Sequence, residues 1–257
     1  HTSKKRIIEP ASVTTVAVSS NNDLQSLVLQ AETLDKMPHL DFSKLDGCCI
    51  ALADGLLDDY VLANYDALED TGVLVAKSSN SGFGYSVKNG LLCHGDELHH
   101  VIDAKVSPTD KALTVEDAHC FKAGSFAGSR AVETLILGDD KHFELEDGCF
   151  ADSNVSTIIC KTEEQLEYVS AHLEAAGAKE GAKAVLSETN AEGYSWTTES
   201  DGDSEFVTLL SAPKDVETFD GCLTRNDSPD DCIVPNAIAS RAFANCTKLR
   251  WATLRQG

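Results

Sequence analysis

Phe126-Ala127-Gly128-Ser129-Arg130-Ala131-Val132-Glu133-Thr134-Leu135-Ile136-Leu137 is the stretch on which the reading of this chain turns. The same phrase returns 24 residues later as Phe150-Ala151-Asp152-Ser153, leading to Ile158-Ile159-Cys160. It returns again as Phe243-Ala244-Asn245-Cys246, leading through Leu249 to Ala252-Thr253-Leu254. In each copy a Phe and small residues precede a short apolar alternation. A period of this length signals stacked structural units, because one unit cannot bury its apolar face but its neighbours can cover it. The strands are expected to turn Leu135 and Leu137, or Ile158 and Cys160, towards a core, with Phe126, Phe150 and Phe243 as equivalent plugs behind one continuous ladder. Phe42 precedes Ile50 by the interval that separates Phe150 from Ile158, so it reads as a degenerate copy.

The chain has 257 residues, 42 % of them hydrophobic and 25 % charged, which suffices for a packed core. Its 21 basic and 42 acidic residues leave a net charge of −21. That charge opposes binding to nucleic-acid phosphates and to anionic lipid. No apolar run approaches the ~18 residues needed to span a bilayer, so no membrane insertion is expected. The chain opens on His1 and reads as an excised piece whose export signal lies elsewhere.

Nine cysteines are too sparse for a small disulfide scaffold. Several occupy apolar positions of the repeat, where Cys acts as a small hydrophobe. Cys222 and Cys232 are the best disulfide candidates, since together they would close a polar loop.

Residues 1–10 read as a basic tail and 11–257 as one domain, with sub-sections at 11–80, 85–190 and 205–257. Val13 to Val18 alternates like a strand. Asp54 can cap a helix running to Asp70, with Leu57, Tyr60, Val61 and Leu68 on one face. Thr162 and Gln165 form a capping-box pattern before a second helix, whose apolar face is Leu166, Val169, Leu173 and Ala176. Asn89-Gly90 marks a hairpin turn. Residues 187–205 read as a long polar loop, with Tyr194 and Trp196 packing back onto the body. Trp251 is expected to cover an end of the stack or to mark a truncated array.

Val234-Pro235-Asn236-Ala237-Ile238-Ala239-Ser240-Arg241-Ala242-Phe243-Ala244-Asn245-Cys246-Thr247-Lys248-Leu249 resembles one unit of the BspA-like leucine-rich repeat family. Gly124 to Leu137 and Gly148 to Cys160 are similar to the second half of that unit. The resemblance implies a right-handed leucine-rich-repeat solenoid, an α/β repeat of short parallel strands with inserted amphipathic helices. It also implies a bacterial surface or secreted protein that contacts a protein or glycan partner.

The residues offer little catalytic chemistry. Cys93-His94, with His99 and His100, is the most reactive-looking cluster, but neighbours on an extended strand point to opposite faces. The same residues lack the paired spacing of a structural zinc site. Cys48-Cys49 is not a C-x-x-C redox motif. Asp201-Gly202-Asp203-Ser204-Glu205 starts like a calcium loop, but Phe206 stands where Gly is required and Ala212 where Glu is required. No catalytic residue, metal site or cofactor is therefore expected. The leading expectation is a non-catalytic adhesion or binding module. The alternatives are a structural spacer within a larger surface protein and a hydrolase using Cys93 with a histidine.

Overall fold

The computed structural model describes residues 5–9, 24–69, 71–80, 83–109, 111–139, 142–200, 202, 204–226, 231–239, 242–244 and 246–253. The strand candidate at Val13–Val18 lies outside them.

The first sheet runs in order β1 (Lys5–Glu9), β2 (Leu24–Leu29), β3 (Cys49–Leu52), β4 (Leu74–Lys77), all parallel. Lys5–Glu9 is thus an edge strand and not a tail. Its Ile7-Ile8 pair explains why, since β-branched residues suit a pleated surface. After β3 the chain forms a 3₁₀ turn and two short helices, α1 (Leu57–Ala63) and α2 (Tyr65–Leu68), where one helix was expected. Asn64 interrupts them. Its side chain donates to the Tyr60 carbonyl at 2.9 Å, and its backbone leaves the helical region at φ −117°. The expected face still packs inward, with Leu57, Tyr60, Val61 and Leu68 all buried.

A second sheet of five strands has the order β11 (Glu144–Leu145), β9 (Cys120–Phe121), β7 (Glu97–Val101), β6 (Leu91–His94), β5 (Ser86–Lys88). Its β5–β6 hairpin turns at Asn89 (φ 51°) and Gly90 (φ 78°), the two positive values that an Asn-Gly turn supplies.

The third sheet has seven strands and curls into a half-barrel. Strands β8 (Ala112–Val115), β10 (Thr134–Leu137), β12 (Thr157–Cys160) and β13 (Lys183–Thr189) are parallel. Strands β14 (Ser195–Ser200) and β15 (Glu205–Ser211) follow antiparallel, and β19 (Ala237–Ile238) adds in parallel. Helix α3 (Glu163–His172) links β12 to β13 and starts as its sequence predicts, with Gln165 N–H donating to Thr162 Oγ1 at 3.1 Å. The buried Gln165 side chain also donates to the Gly138 carbonyl at 2.8 Å, tying the helix to the end of β10.

This architecture overturns the expected solenoid. The molecule is a mixed α/β assembly of several sheets with three α-helices among the described residues, and no single parallel sheet runs through it. Two units do stack. Leu135 is aligned with Ile158, and the buried rings of Phe126 and Phe150 lie 5.1 Å apart. Their turns match as well: Gly128 and Asp152, each two residues after the Phe, take φ 75° and 55°. Phe42 belongs to another core, formed around β2 to β4. Phe243 and Cys246 lie apart again: Phe243 packs 5.5 Å from Phe219 against a third cluster, and Cys246 Sγ approaches the Pro213 carbonyl. Leu249 precedes the short strand β20 (Trp251–Ala252), which pairs only with β16 (Thr218–Phe219). The three Phe residues are therefore not plugs of one ladder.

The physical cause lies at residues 187–205. The expected loop is instead the β13–β14–β15 meander. Thr and Ser alternate with Trp196, Val207 and Leu209 there, and β-branched hydroxyl residues fit strands. Gly193, at φ 89°, lets the chain reverse, and that reversal ends the parallel order. Trp251, expected to cover an end of the stack, is 52 % exposed.

Candidate functional site

Strand alternation builds a concave surface inside the seven-stranded sheet. Along β8, β10 and β12, Leu113, Val115, Leu135, Leu137, Ile158 and Cys160 turn into the core. The residues between them line the inside of the half-barrel, a trough of about 1330 Å³. Register aligns them in rows. Thr114, Ile136, Ile159 and Val185 stand side by side across four strands. Ala112, Thr134, Thr157 and Lys183 form the adjacent row, and Lys183 pairs with Glu199 of β14. Thr197, Thr208 and Leu210 complete the far wall. Among the described residues no Phe, Tyr or Trp lines the trough, so it offers hydroxyls and small aliphatic groups. Glu116, Asp139 and Lys161 stand where β8, β10 and β12 end.

Sequence reading gave no binding role to the trough-facing residues Thr114, Ile136, Ile159 and Val185. A signal was available: Thr134-Leu135-Ile136 and Thr157-Ile158-Ile159 place Ile at the positions that alternation turns away from the core. Ile136 is half-buried and Ile159 buried, so the repeated Ile gives the sheet a second apolar face inside the half-barrel.

The Cys93 cluster separates into two sides. Cys93 packs partly buried against the core, and burial pushes its thiol up to about 11. His94 points the other way, its ring stacked on Phe83 at 3.5 Å. His99 lies 3.1 Å from Glu97, and His100 lies 3.6 Å from Asp58 on α1. Glu97 also faces Lys122 at 3.4 Å, and His99 beside it holds its carboxyl below the usual range. Glu97 on β7 thus meets His99 on its own strand and Lys122 just past β9, while His100 reaches across to α1. Among the described residues no three His, Cys, Asp or Glu side chains are grouped to hold a metal. Asp201 and Asp203 of the calcium-like stretch lie outside the described residues.

The other free thiols follow the same rule. Burial raises Cys48 to about 11, and Cys149 and Cys160 to about 12. None carries the depressed value of an activated nucleophile. Thiol labelling at neutral pH is thus expected to leave Cys93 and Cys149 unmodified until denaturant is added. Rapid labelling of Cys93 in the folded protein would revive the hydrolase alternative.

Cys222 and Cys232 are joined in a disulfide that closes the hairpin of β17 (Leu223–Thr224) and β18 (Cys232–Ile233). This hairpin docks on the meander through Arg225, whose Nε donates to Glu188 Oε2 at 2.8 Å. Glu188 also accepts from Trp196 Nε1 at 3.2 Å and Thr198 Oγ1 at 3.0 Å. The Arg225 guanidinium is the main cause holding the Glu188 carboxyl below its ordinary value.

Compared with known protein families, curated proteins and solved structures, the chain has no match. No helix among the described residues is long and apolar enough to cross a membrane.

Proposed function

We propose that this chain is a non-catalytic binding module whose docking face is the inside of the half-barrel. The observation that carries the reading is the row Thr114–Ile136–Ile159–Val185, which lines the inside of the half-barrel, exposed at Thr114, half-buried at Ile136 and Val185 and buried at Ile159, on a sheet already covered on its other side. Rigid strands hold this row in place, which limits the entropy lost on docking. The raised thiols and the separation of Cys93 from His94 favour binding over nucleophilic chemistry. The disulfide and the phrase shared with the BspA-like family support a bacterial surface or secreted setting, since disulfides persist in oxidising compartments. The partner is a protein or a glycan.

The test is a binding screen against immobilised extracellular-matrix proteins and a glycan array, with Thr157→Arg as the probe of the trough. Thr157 sits at the middle of the floor and is half-buried, so the long cation blocks the trough without entering the core. Saturable binding that falls at least tenfold in Thr157→Arg, with an unchanged melting curve, is expected. Binding that ignores the substitution would move the site elsewhere. No binding to any probe would favour the spacer role.

A further inference from the structure

The seven-stranded sheet has an open side. Strand β8 ends the sheet order, and no described element pairs with its outer edge. The carbonyls of Lys111 and Val115 accept from β10, at Thr134 and Gly138. Backbone groups alternate along a strand, so those of Ala112 and Thr114 face outward. Thr114 is exposed and Ala112 half-buried, which leaves this backbone accessible.

Natural edge strands are normally guarded by charge, proline, a bulge or shortness. The other ends of the sheets carry such guards. Strand β5 ends at Lys88, and β19 is two residues long and follows Pro235. Strand β8, four residues long, lacks charge, proline and bulge. Ala112-Leu113-Thr114-Val115 has no charged residue or proline, and its register with β10 runs without interruption. The nearest cation, Lys111, is engaged with Glu133 on the β10 side at 2.5 Å.

We propose that β8 is a strand-addition site, at which an extended polypeptide pairs with Ala112 and Thr114 and becomes an eighth strand of the half-barrel. This deepens the binding reading above by naming the partner as a polypeptide and fixing how it lies. Main-chain hydrogen bonds supply affinity in this mode, and alternate side chains supply specificity. Here the alternate side chains of the added strand continue the two rows of the trough. One falls beside Ala112 and the next beside Thr114, in line with Thr134 and Ile136 one strand further in. Those neighbours are small or β-branched, so they select small or β-branched residues at alternating positions. The absence of aromatic lining among the described residues removes the stacking platform a sugar ring would use, which favours peptide over glycan. The net charge of −21, with Glu116 just beyond β8, selects a segment that is neutral to basic.

The experiment is selection of a displayed library of random ten-residue peptides against the intact protein, followed by titration of the synthetic winners. Winners with alternating Val, Ile, Thr or Ala and flanking Lys or Arg are expected. Thr114→Pro deletes an outward N–H without touching the ladder to β10, since edge strands accept proline whose nitrogen faces solvent. It is expected to weaken the winning peptide at least tenfold, with melting unchanged. N-methylation of alternate peptide residues should give the same loss in the wild-type protein, a result independent of how Thr114→Pro folds. Amide exchange at Ala112 and Thr114 should slow when peptide is bound.

Peptides that bind Thr114→Pro and the wild type equally, or that tolerate N-methylation in both frames, overturn strand addition. If Thr157→Arg abolishes their binding nonetheless, the trough reading survives. Glycan binding with no peptide winner overturns the polypeptide assignment and likewise leaves the trough reading intact. Failure of every probe sinks both.

Discussion

Phe150→Ala is expected to lower the free energy of unfolding by about 3–5 kcal/mol, read as a shift of the denaturant midpoint with little change in slope. Phe150 is fully buried, with the rings of Phe126 at 5.1 Å and Phe121 at 6.2 Å. Its N–H donates to the Ala176 carbonyl at 2.8 Å, beyond the end of α3, so the turn that holds the ring also fastens the helix return. Truncation leaves a cavity between the five-stranded and seven-stranded sheets, where neither strand set can collapse without breaking its ladder. Phe126→Ala should cost a similar amount. Because the two rings touch, the double variant should lose less than the two single losses added together. Phe243→Ala offers the contrast. It is only half-buried, in a different cluster, and should lose clearly less. A loss under about 1 kcal/mol for Phe150→Ala, the size of an ordinary surface change, would show that the ring carries no core.

The same residues show how far the sequence could be read. The phrase at Phe126 and Phe150 was legible because local geometry and packing agree over 24 residues, down to the left-handed residue two places after each ring. The copy at Phe243 looks alike in sequence yet belongs to a different cluster. What separates it is the reversal at Gly193, a single turn whose consequence is global. Thr-rich strands hid that reversal, since Ser195-Trp196-Thr197-Thr198 has the polarity of a loop and the backbone preference of a strand. The trough was illegible for another reason. Its residues come from six strands, and only register brings Thr114, Ile136, Ile159 and Val185 into one row. The disulfide was anticipated from the polar loop it closes, whereas its attachment through Arg225 to Glu188, 37 positions away, had no local sign.

Trp196→Ala is the second large effect expected, again about 3–5 kcal/mol. The indole is 1 % exposed and packs with Tyr194, Val207, Leu209 and Phe219 in the third core cluster. That cluster is the smallest of the three, so its one Trp is a large share of the apolar area that fixes the meander. The substitution also removes the Nε1–H donor from Glu188. Trp196→Phe separates the contributions: it keeps most of the ring and forfeits the hydrogen bond, at a cost of about 1–3 kcal/mol. Acid provides an independent check on the carboxylate. Glu188 has a folded value held below its ordinary 4.5, chiefly by Arg225 and then by Thr198 and Trp196. A depressed carboxyl stabilises the fold fully above the ordinary value, and the contribution fades as pH falls through the folded one. The stability gap between wild type and Glu188→Gln should therefore be constant from neutral pH down to about 4.5 and narrow below it. In a Trp196→Phe background the narrowing should begin at the same pH but be smaller and finish at a higher pH, because one of the groups holding the folded carboxyl down is gone. A gap that stays flat through the acid range would show that Glu188 does not fasten the disulfide hairpin to the sheet.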